Sequence, residues 1–223
     1  MESEVLRVRP GRPVDEQLRD RRCDEILEAA GSLFAEHGYS EATTEMLADK
    51  LGVGKGTIYR YFPNKRELFL AACDRLMRQL LDALEAAAGQ VEDPLDKIAH
   101  AIRRYLDFFA EHPEFVELLV QERAQFKDRP RPTYFEHMEA DREKHHAFFR
   151  QLIAEGRVRE IDVDRINDVL SDLVYGTMFT NYFTGRRRSA ADQAGDILDI
   201  VFHGILSPTE RTRKTYVERN SFR

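Results

Sequence analysis

An all-α fold is what this sequence predicts, on three observations. Nearly every apolar run in the 223 residues repeats at helical spacing, and no run alternates convincingly over the length of a strand. Residues that cap helix starts stand ahead of such runs, as at Thr43-Thr44 and Asn64. The twelve glycines and eight prolines fall mostly between the runs rather than inside them.

Each element follows from these signals. A first helix is expected over about Asp15 to His37, with Ile26, Leu27, Ala30, Leu33 and Phe34 on one face. His37-Gly38-Tyr39 ends it, because glycine readily takes the left-handed conformation of a helix C-cap. A second helix starts at Thr43 or Thr44, whose hydroxyls cap orphan amides, and stops at Gly52-Val53-Gly54. A third covers Lys55 to Phe62, and Pro63 breaks it. Asn64-Lys65-Arg66-Glu67 resembles a capping box opening a fourth helix that runs to about Ala88. Gly89 to Asp93 form a link. Five more helical patterns follow, Pro94–Ala110, Pro113–Lys127, Thr133–Glu155, Asp164–Thr184 and Ser189–Leu206, for about nine in all. Pro130 and Pro132 mark one stiff loop, and residues 207–223 read as a polar tail, either disordered or weakly helical.

Composition narrows the function. Hydrophobic residues are 42% and charged residues 33%, as in a globular protein with a solvated surface. No apolar stretch reaches the roughly 18 residues a membrane span needs. The opening Met-Glu-Ser-Glu-Val-Leu-Arg has no apolar signal-peptide core, so a cytoplasmic location without membrane partners is expected. Cys23 and Cys73 sit in no CxxC pair and read as small core residues. No phosphate-cradling glycine loop, nucleophile elbow or His-Glu metal motif is present, so neither an enzyme nor a cofactor is expected. The net charge of −6 counts against nucleic acid until its placement is considered. From Lys50 to Arg66 the chain carries Lys50, Lys55, Arg60, Lys65 and Arg66 and no acid.

That basic stretch coincides with a helix-turn-helix spacing. Leu47, Leu51, Val53, Ile58 and Tyr61 fall where such a unit buries apolar side chains. Ala48 falls where the second helix approaches closely, and Gly52 falls in the turn, where a positive φ is required. The following helix suits the major groove. Ile58 and Phe62 face the core while Lys55, Thr57, Tyr59 and Arg60 project outward. Lys55 can bond a guanine edge, and Thr57 a thymine methyl or a phosphate. Tyr59, Tyr61 and Lys65 suit phosphates, as does Thr44 at a helix N-terminus.

The run Thr43-Thr44-Glu45-Met46-Leu47-Ala48, then Leu51-Gly52-Val53, then Lys55 to Lys65, resembles the tetracycline-repressor (TetR/AcrR) family, as does the preceding helix with Gly38-Tyr39. At motif level the resemblance covers about Arg21 to Leu76. It implies an N-terminal three-helix DNA-binding domain, residues 15–66, joined to a helical effector-binding and dimerisation domain, residues 67–206. It implies a homodimeric repressor on double-stranded DNA with a palindromic operator, released by a small-molecule effector. Phosphate contacts then fall on Thr44, Tyr59, Tyr61 and Lys65, and base-reading positions on Lys55, Gly56, Thr57 and Glu45. Two departures stand out. Gly54 replaces a common serine, so the recognition helix loses an N-cap. Glu45 is acidic, and either accepts a bond from cytosine or points to solvent. Residues 1–14 form an expected flexible basic arm, in which Arg7-Val8-Arg9-Pro10-Gly11-Arg12-Pro13 only partly matches the family's minor-groove hook. A purely electrostatic role is the other reading.

The last two helices carry apolar residues over too wide an arc for one buried stripe. Ile166, Leu170, Leu173, Thr177, Ile197, Val201 and Ile205 are the candidate dimer interface. The resemblance implies a four-helix contact, two helices from each subunit. Aromatics crowd the middle helices, and Tyr105, Phe109, Arg123, Tyr134, Met138, Tyr175 and Phe179 are the candidate lining of a pocket for an apolar or aromatic effector. His137, Asp141 and His145 stand at four-residue steps, a spacing shared by metal ligands, surface groups and polar pocket anchors alike.

Overall fold

The computed structural model describes residues 16–213, and the basic arm and the end of the polar tail lie outside them. Eleven helices occupy the described residues. They are α1 (Glu16–Glu41), α2 (Thr44–Leu51), α3 (Lys55–Tyr61), α4 (Lys65–Ala88), α5 (Pro94–Glu111), α6 (Pro113–Gln125), α7 (Thr133–Ala140), α8 (Arg142–Ala154), α9 (Val163–Thr184), α10 (Ala190–Ile205) and α11 (Pro208–Arg213). One isolated antiparallel bridge joins Val158 to Leu206. No helix among the described residues is long and apolar enough to cross a membrane.

Side chains at the helix starts set most of these boundaries. Thr43 caps α2 by accepting from the Met46 amide at 3.2 Å. Asn64 caps α4 by accepting from the Glu67 amide at 2.9 Å, which is the Asn64 half of the expected box. Asp93 caps α5 by accepting from the amides of Leu95 and Asp96, with Pro94 in the first turn. Gly54 places no side chain at the start of α3, and that start has no side-chain cap.

Two sequence expectations need correction. Gly38 does take a positive φ of 78°, but one more turn follows, and α1 reaches Glu41 across that kink. The expected helix 133–155 is two helices. Asp141, a poor interior helix former, sits between them at φ −91° and ψ −1°. There α7 packs on α4 and α8 on α9, so the chain must turn. The helical alternative for the tail holds over its first residues: α11 follows Ser207, and Glu210 is buried with its carboxylate bonded to Arg157 at 2.9 Å.

The helices share one continuous core. α4 is its spine, packed along α5 and against α1, with Phe69, Leu76, Met77 and Leu80 excluded from solvent. Burying each such side chain stabilises the fold by about 1.5–3 kcal/mol, an upper figure for a fully extended reference chain. α6 crosses α1, and α10 lays its apolar stripe on α5. Cys73 is buried on α4, and burial pushes its thiol well above the usual range. Burial, then Asp24 and Asp20, raises the half-buried Cys23 thiol. Iodoacetamide at neutral pH should therefore label Cys23 slowly and Cys73 only after unfolding; rapid labelling of both in the folded protein would contradict this placement.

Candidate nucleic-acid interface

α2 and α3 are joined by a turn that only glycine fits easily. Gly52 lies at φ 64° and ψ 34°, its amide reaching the carbonyls of Ala48 and Asp49, and the Val53 amide returns to Ala48 at 3.0 Å. Leu47, Ala48 and Ile58 are buried, and Leu51, Val53 and Tyr61 are half-buried against the same core. Of the seven residues of α3, Ile58 alone is fully buried, and Phe62 follows it into the core.

Of the four α3 residues expected to project outward, three are exposed and Thr57 is half-buried. Lys55, Gly56, Tyr59 and Arg60 are exposed, with Thr57 and Tyr61 half-buried beside them. Thr44 is buried, and its hydroxyl lies 3.2 Å from the Tyr59 hydroxyl, tying α2 to α3. The Arg60 guanidinium lies over the Tyr61 ring at 5.5 Å. Lys65 donates to the Ser40 carbonyl at 3.0 Å, and its ammonium sits 4.7 Å from the centre of the Tyr39 ring. Burial there lowers the Lys65 pKa. Glu45 is exposed, as one of its two readings required, but it is not free in solvent. Its carboxylate accepts from the Lys55 ammonium and from the Thr44 hydroxyl. The bond from Lys55 chiefly lowers the Glu45 pKa, and the same bond raises that of Lys55.

A seam of side chains that sequence reading missed joins this unit to the second domain. Gln121 on α6 donates to the Phe34 carbonyl of α1 at 3.0 Å. Phe126, just after α6, packs edge-on to Tyr39 at 4.9 Å and against Phe69 at 5.4 Å. Arg66 covers the Phe126 ring at 5.0 Å and pairs with Asp128 at 2.5 Å. Nothing in local sequence marks Phe126, because its partners are far away along the chain.

Helices α5, α7 and α9 bring together most of the predicted pocket residues, but as a closed cluster. The Tyr105 and Tyr134 hydroxyls lie 2.9 Å apart, and that of Tyr105 also meets the Met178 sulfur at 3.6 Å. Burial raises the pKa of both phenols. Tyr175 packs on Tyr134 and Phe179, each at 4.8 Å, and Phe109 on Tyr105 at 5.0 Å. Met138 is half-buried at the margin, and Arg123 is exposed on α6, outside the cluster. Open grooves lie elsewhere along α1, the first between α1, α4, α5 and α6 and the second between α1, α6 and α9. One of about 460 Å³ is floored by Leu27, Leu76, Phe108 and Leu118, and another of about 510 Å³ is bordered by Glu36, Pro113 and Tyr182.

The candidate dimer residues divide. Ile166, Ile197, Val201 and Ile205 are buried within the subunit, because α10 turns them to α5 and Ile166 faces inward from α9. They leave little surface for a partner to cover. Leu170 and Thr177 are half-buried and Leu173 is 37% exposed. The outward apolar face instead includes Val169, Phe183 and Ile200, the last two 65% and 72% exposed. His137, Asp141 and His145 also divide. His137 turns to Asp74 on α4 at 2.8 Å, Asp141 ends α7, and His145 is exposed on α8. Among the described residues, no three His, Cys, Asp or Glu side chains cluster to hold a metal.

A tight helix-turn-helix with a polar outward face, carried on a larger all-helical domain, defines a DNA-binding transcriptional regulator. Residues 26–72 match the profile described as bacterial regulatory proteins, tetR family. The HTH-type transcriptional repressor SCO4008 of Streptomyces coelicolor is 33% identical over 141 residues, 63% of this chain and 67% of that protein. The chain belongs to the TetR family. The HTH-type transcriptional repressor KstR2 of Mycobacterium tuberculosis is 28% identical over 195 residues, 85% of this chain and 94% of that one. The fold is shared with the solved transcriptional regulator FadR from Bacillus subtilis in complex with stearoyl-CoA, at a TM-score of 0.69 and 20% identity, over 82% of this chain and 98% of that one.

Proposed function

We propose that the protein is a homodimeric repressor that binds a palindromic operator through α3 and is released by a small apolar or aromatic effector. One observation carries the reading: α3 buries Ile58 and leaves Lys55, Gly56, Tyr59 and Arg60 facing out. An arrangement of that kind enters a major groove with its N-terminal residues at base edges. Tyr61 and Lys65 then hold phosphates through their side chains and Thr44 through its amide at the start of α2, with Tyr59 beside them, while Lys55, Gly56, Thr57 and Glu45 stand nearest the bases. The apolar face of Val169, Leu173, Phe183 and Ile200 supports pairing of two subunits, which a two-half-site operator needs. The effector enters by parting the Tyr105–Tyr134 cluster. FadR, which shares the fold, is solved in complex with stearoyl-CoA, and the acyl chain of that ligand is apolar. The effector prefers the conformation with wrongly spaced recognition helices, and operator affinity falls by the ratio of its two affinities.

Selection and sequencing of random duplexes on the purified protein, at physiological salt, tests this. An enriched palindrome with symmetric half-sites is the expected result. Binding that enriches nothing and simply fades as salt rises would refute a specific repressor. A second reading, a DNA-binding protein without an effector, is favoured by the closed tyrosine cluster, whose hydroxyls already satisfy each other. Failure of every tested apolar metabolite to weaken operator binding would support it.

Gly56 gives a separate check. A Cβ built there meets nothing within 4 Å in the protein, so its lack of a side chain serves no internal packing. Gly56→Ala should leave stability unchanged or raise it by up to about 1 kcal/mol. It should still weaken operator binding about tenfold, or about 1.4 kcal/mol, because the added methyl meets the DNA. Unchanged affinity would remove Gly56 from the contact surface.

A further inference from the structure

Resting on that placement of α3 in the major groove, we infer that Glu45 and Lys55 form one reading unit for a single G·C base pair. Lys55 donates to guanine, and Glu45 accepts from the cytosine amino group. The two side chains come from different helices, yet the Lys55 ammonium donates directly to one Glu45 oxygen. The other oxygen accepts from the Thr44 hydroxyl at 3.2 Å. Thr44 is 6% exposed and is held by the Tyr59 hydroxyl at 3.2 Å, while the Lys55 ammonium also lies 5.7 Å from the centre of the Tyr59 ring. A buried threonine and a tyrosine thus fix the direction of the pair. Both charged side chains stay open, 45% exposed for Lys55 and 58% for Glu45, so their outer edges face whatever α3 meets.

A carboxylate on a DNA-binding face weakens attraction to every phosphate, which a purely electrostatic contact would not tolerate. It fits a device that spends general affinity on selectivity. The major-groove edge of G·C presents two acceptors, guanine N7 and O6, followed by the cytosine N4 donor. O6 and N4 are hydrogen-bonded to each other, at the same separation of about 2.7–3.2 Å that an ammonium keeps from a carboxylate. The side-chain pair and the base-pair edge therefore lie in register, Lys55 across N7 and O6 and Glu45 on N4. A T·A pair offers one matching acceptor and donor. It puts the thymine methyl where guanine N7 stands, however, and adds adenine N7 beyond the donor, beside the carboxylate. The remaining two pairs mismatch further. The unit prefers G·C in one orientation, then T·A.

Selection and sequencing on the wild-type chain, Glu45→Ala, Lys55→Ala and the double variant tests this. The wild type should fix G·C at one position of each half-site. Glu45→Ala should bind unrelated DNA more tightly and lose about tenfold to a hundredfold of its preference at that position. Lys55→Ala should relax the same position, and the double variant should be no worse there than Lys55→Ala. An enriched operator whose base preferences are unchanged in Glu45→Ala, with affinity raised equally for all sequences, would overturn the inference alone. So would relaxation at two different positions by the two single variants. A wild type that enriches nothing would overturn the operator reading and this inference with it.

Discussion

Arg129→Ala should cost the folded chain about 3 kcal/mol, and adding Glu122→Gln should return much of the loss. Glu122 is 1% exposed on α6, so its carboxylate stays in the interior only while donors surround it. One oxygen takes the Thr133 amide at 2.8 Å, the Thr133 hydroxyl at 2.9 Å and the Arg129 guanidinium at 2.5 Å. The guanidinium also bonds Thr133 at 3.0 Å and Glu136 at 2.5 Å, clasping the loop between α6 and α7. The second carboxylate oxygen is buried without a hydrogen-bond partner among the described residues. Removing Arg129 leaves a buried negative charge held by neutral donors only. The glutamine of the double variant removes that charge and keeps an acceptor for Thr133. Urea unfolding of the three variants at constant slope measures both effects. A loss under about 1 kcal/mol, or no recovery in the double variant, would show that solvent already screens the charge.

Periodicity and caps made most of the fold legible, because both are local. The Thr43 and Asn64 caps and the Gly52 turn lie where the sequence places them, since each depends on a side chain and the amides a few residues on. Neighbours far along the chain decided the rest. A helical period cannot say which stripe of a doubly apolar helix faces its own subunit, so Ile197, Val201 and Ile205 looked like partner-facing residues when they pack on α5. The break at Asp141 follows from α7 and α8 serving different partners, α4 and α9, which no window of sequence contains. The tyrosines of α5, α7 and α9 were legible as a group, but whether they enclose space depends on side-chain packing. Glu45 was the hardest to read. Its meaning lies in Lys55, ten positions on and across the turn.

Phe126→Ala should destabilise the chain by about 3–5 kcal/mol, the cost of deleting a buried aromatic ring. The ring is 6% exposed and fills the junction where the α6–α7 loop meets the DNA-binding unit. It contacts Tyr39 and Phe69 on one side and Arg66 on the other. Arg66→Ala removes only a solvent-screened ion pair and a ring contact, and should cost far less than Phe126→Ala. The ring also stands one step from the candidate DNA contact, since Tyr39, which it supports, lies under the Lys65 ammonium. Phe126→Leu keeps most of the volume and should fold with a loss below about 1.5 kcal/mol. It removes the edge-on contact that orients Tyr39, so its operator affinity should fall several-fold while Lys65 itself is untouched. Titration of a fixed operator duplex against Phe126→Leu and Lys65→Ala separates two roles for the seam. Lower affinity in both variants means that the loop sets the position of Lys65, and so offers a route by which regulatory helices reach DNA. Lower affinity in Lys65→Ala alone means that Phe126 only holds the two domains together, and that any signal must travel through α4 and the Gln121 contact to α1.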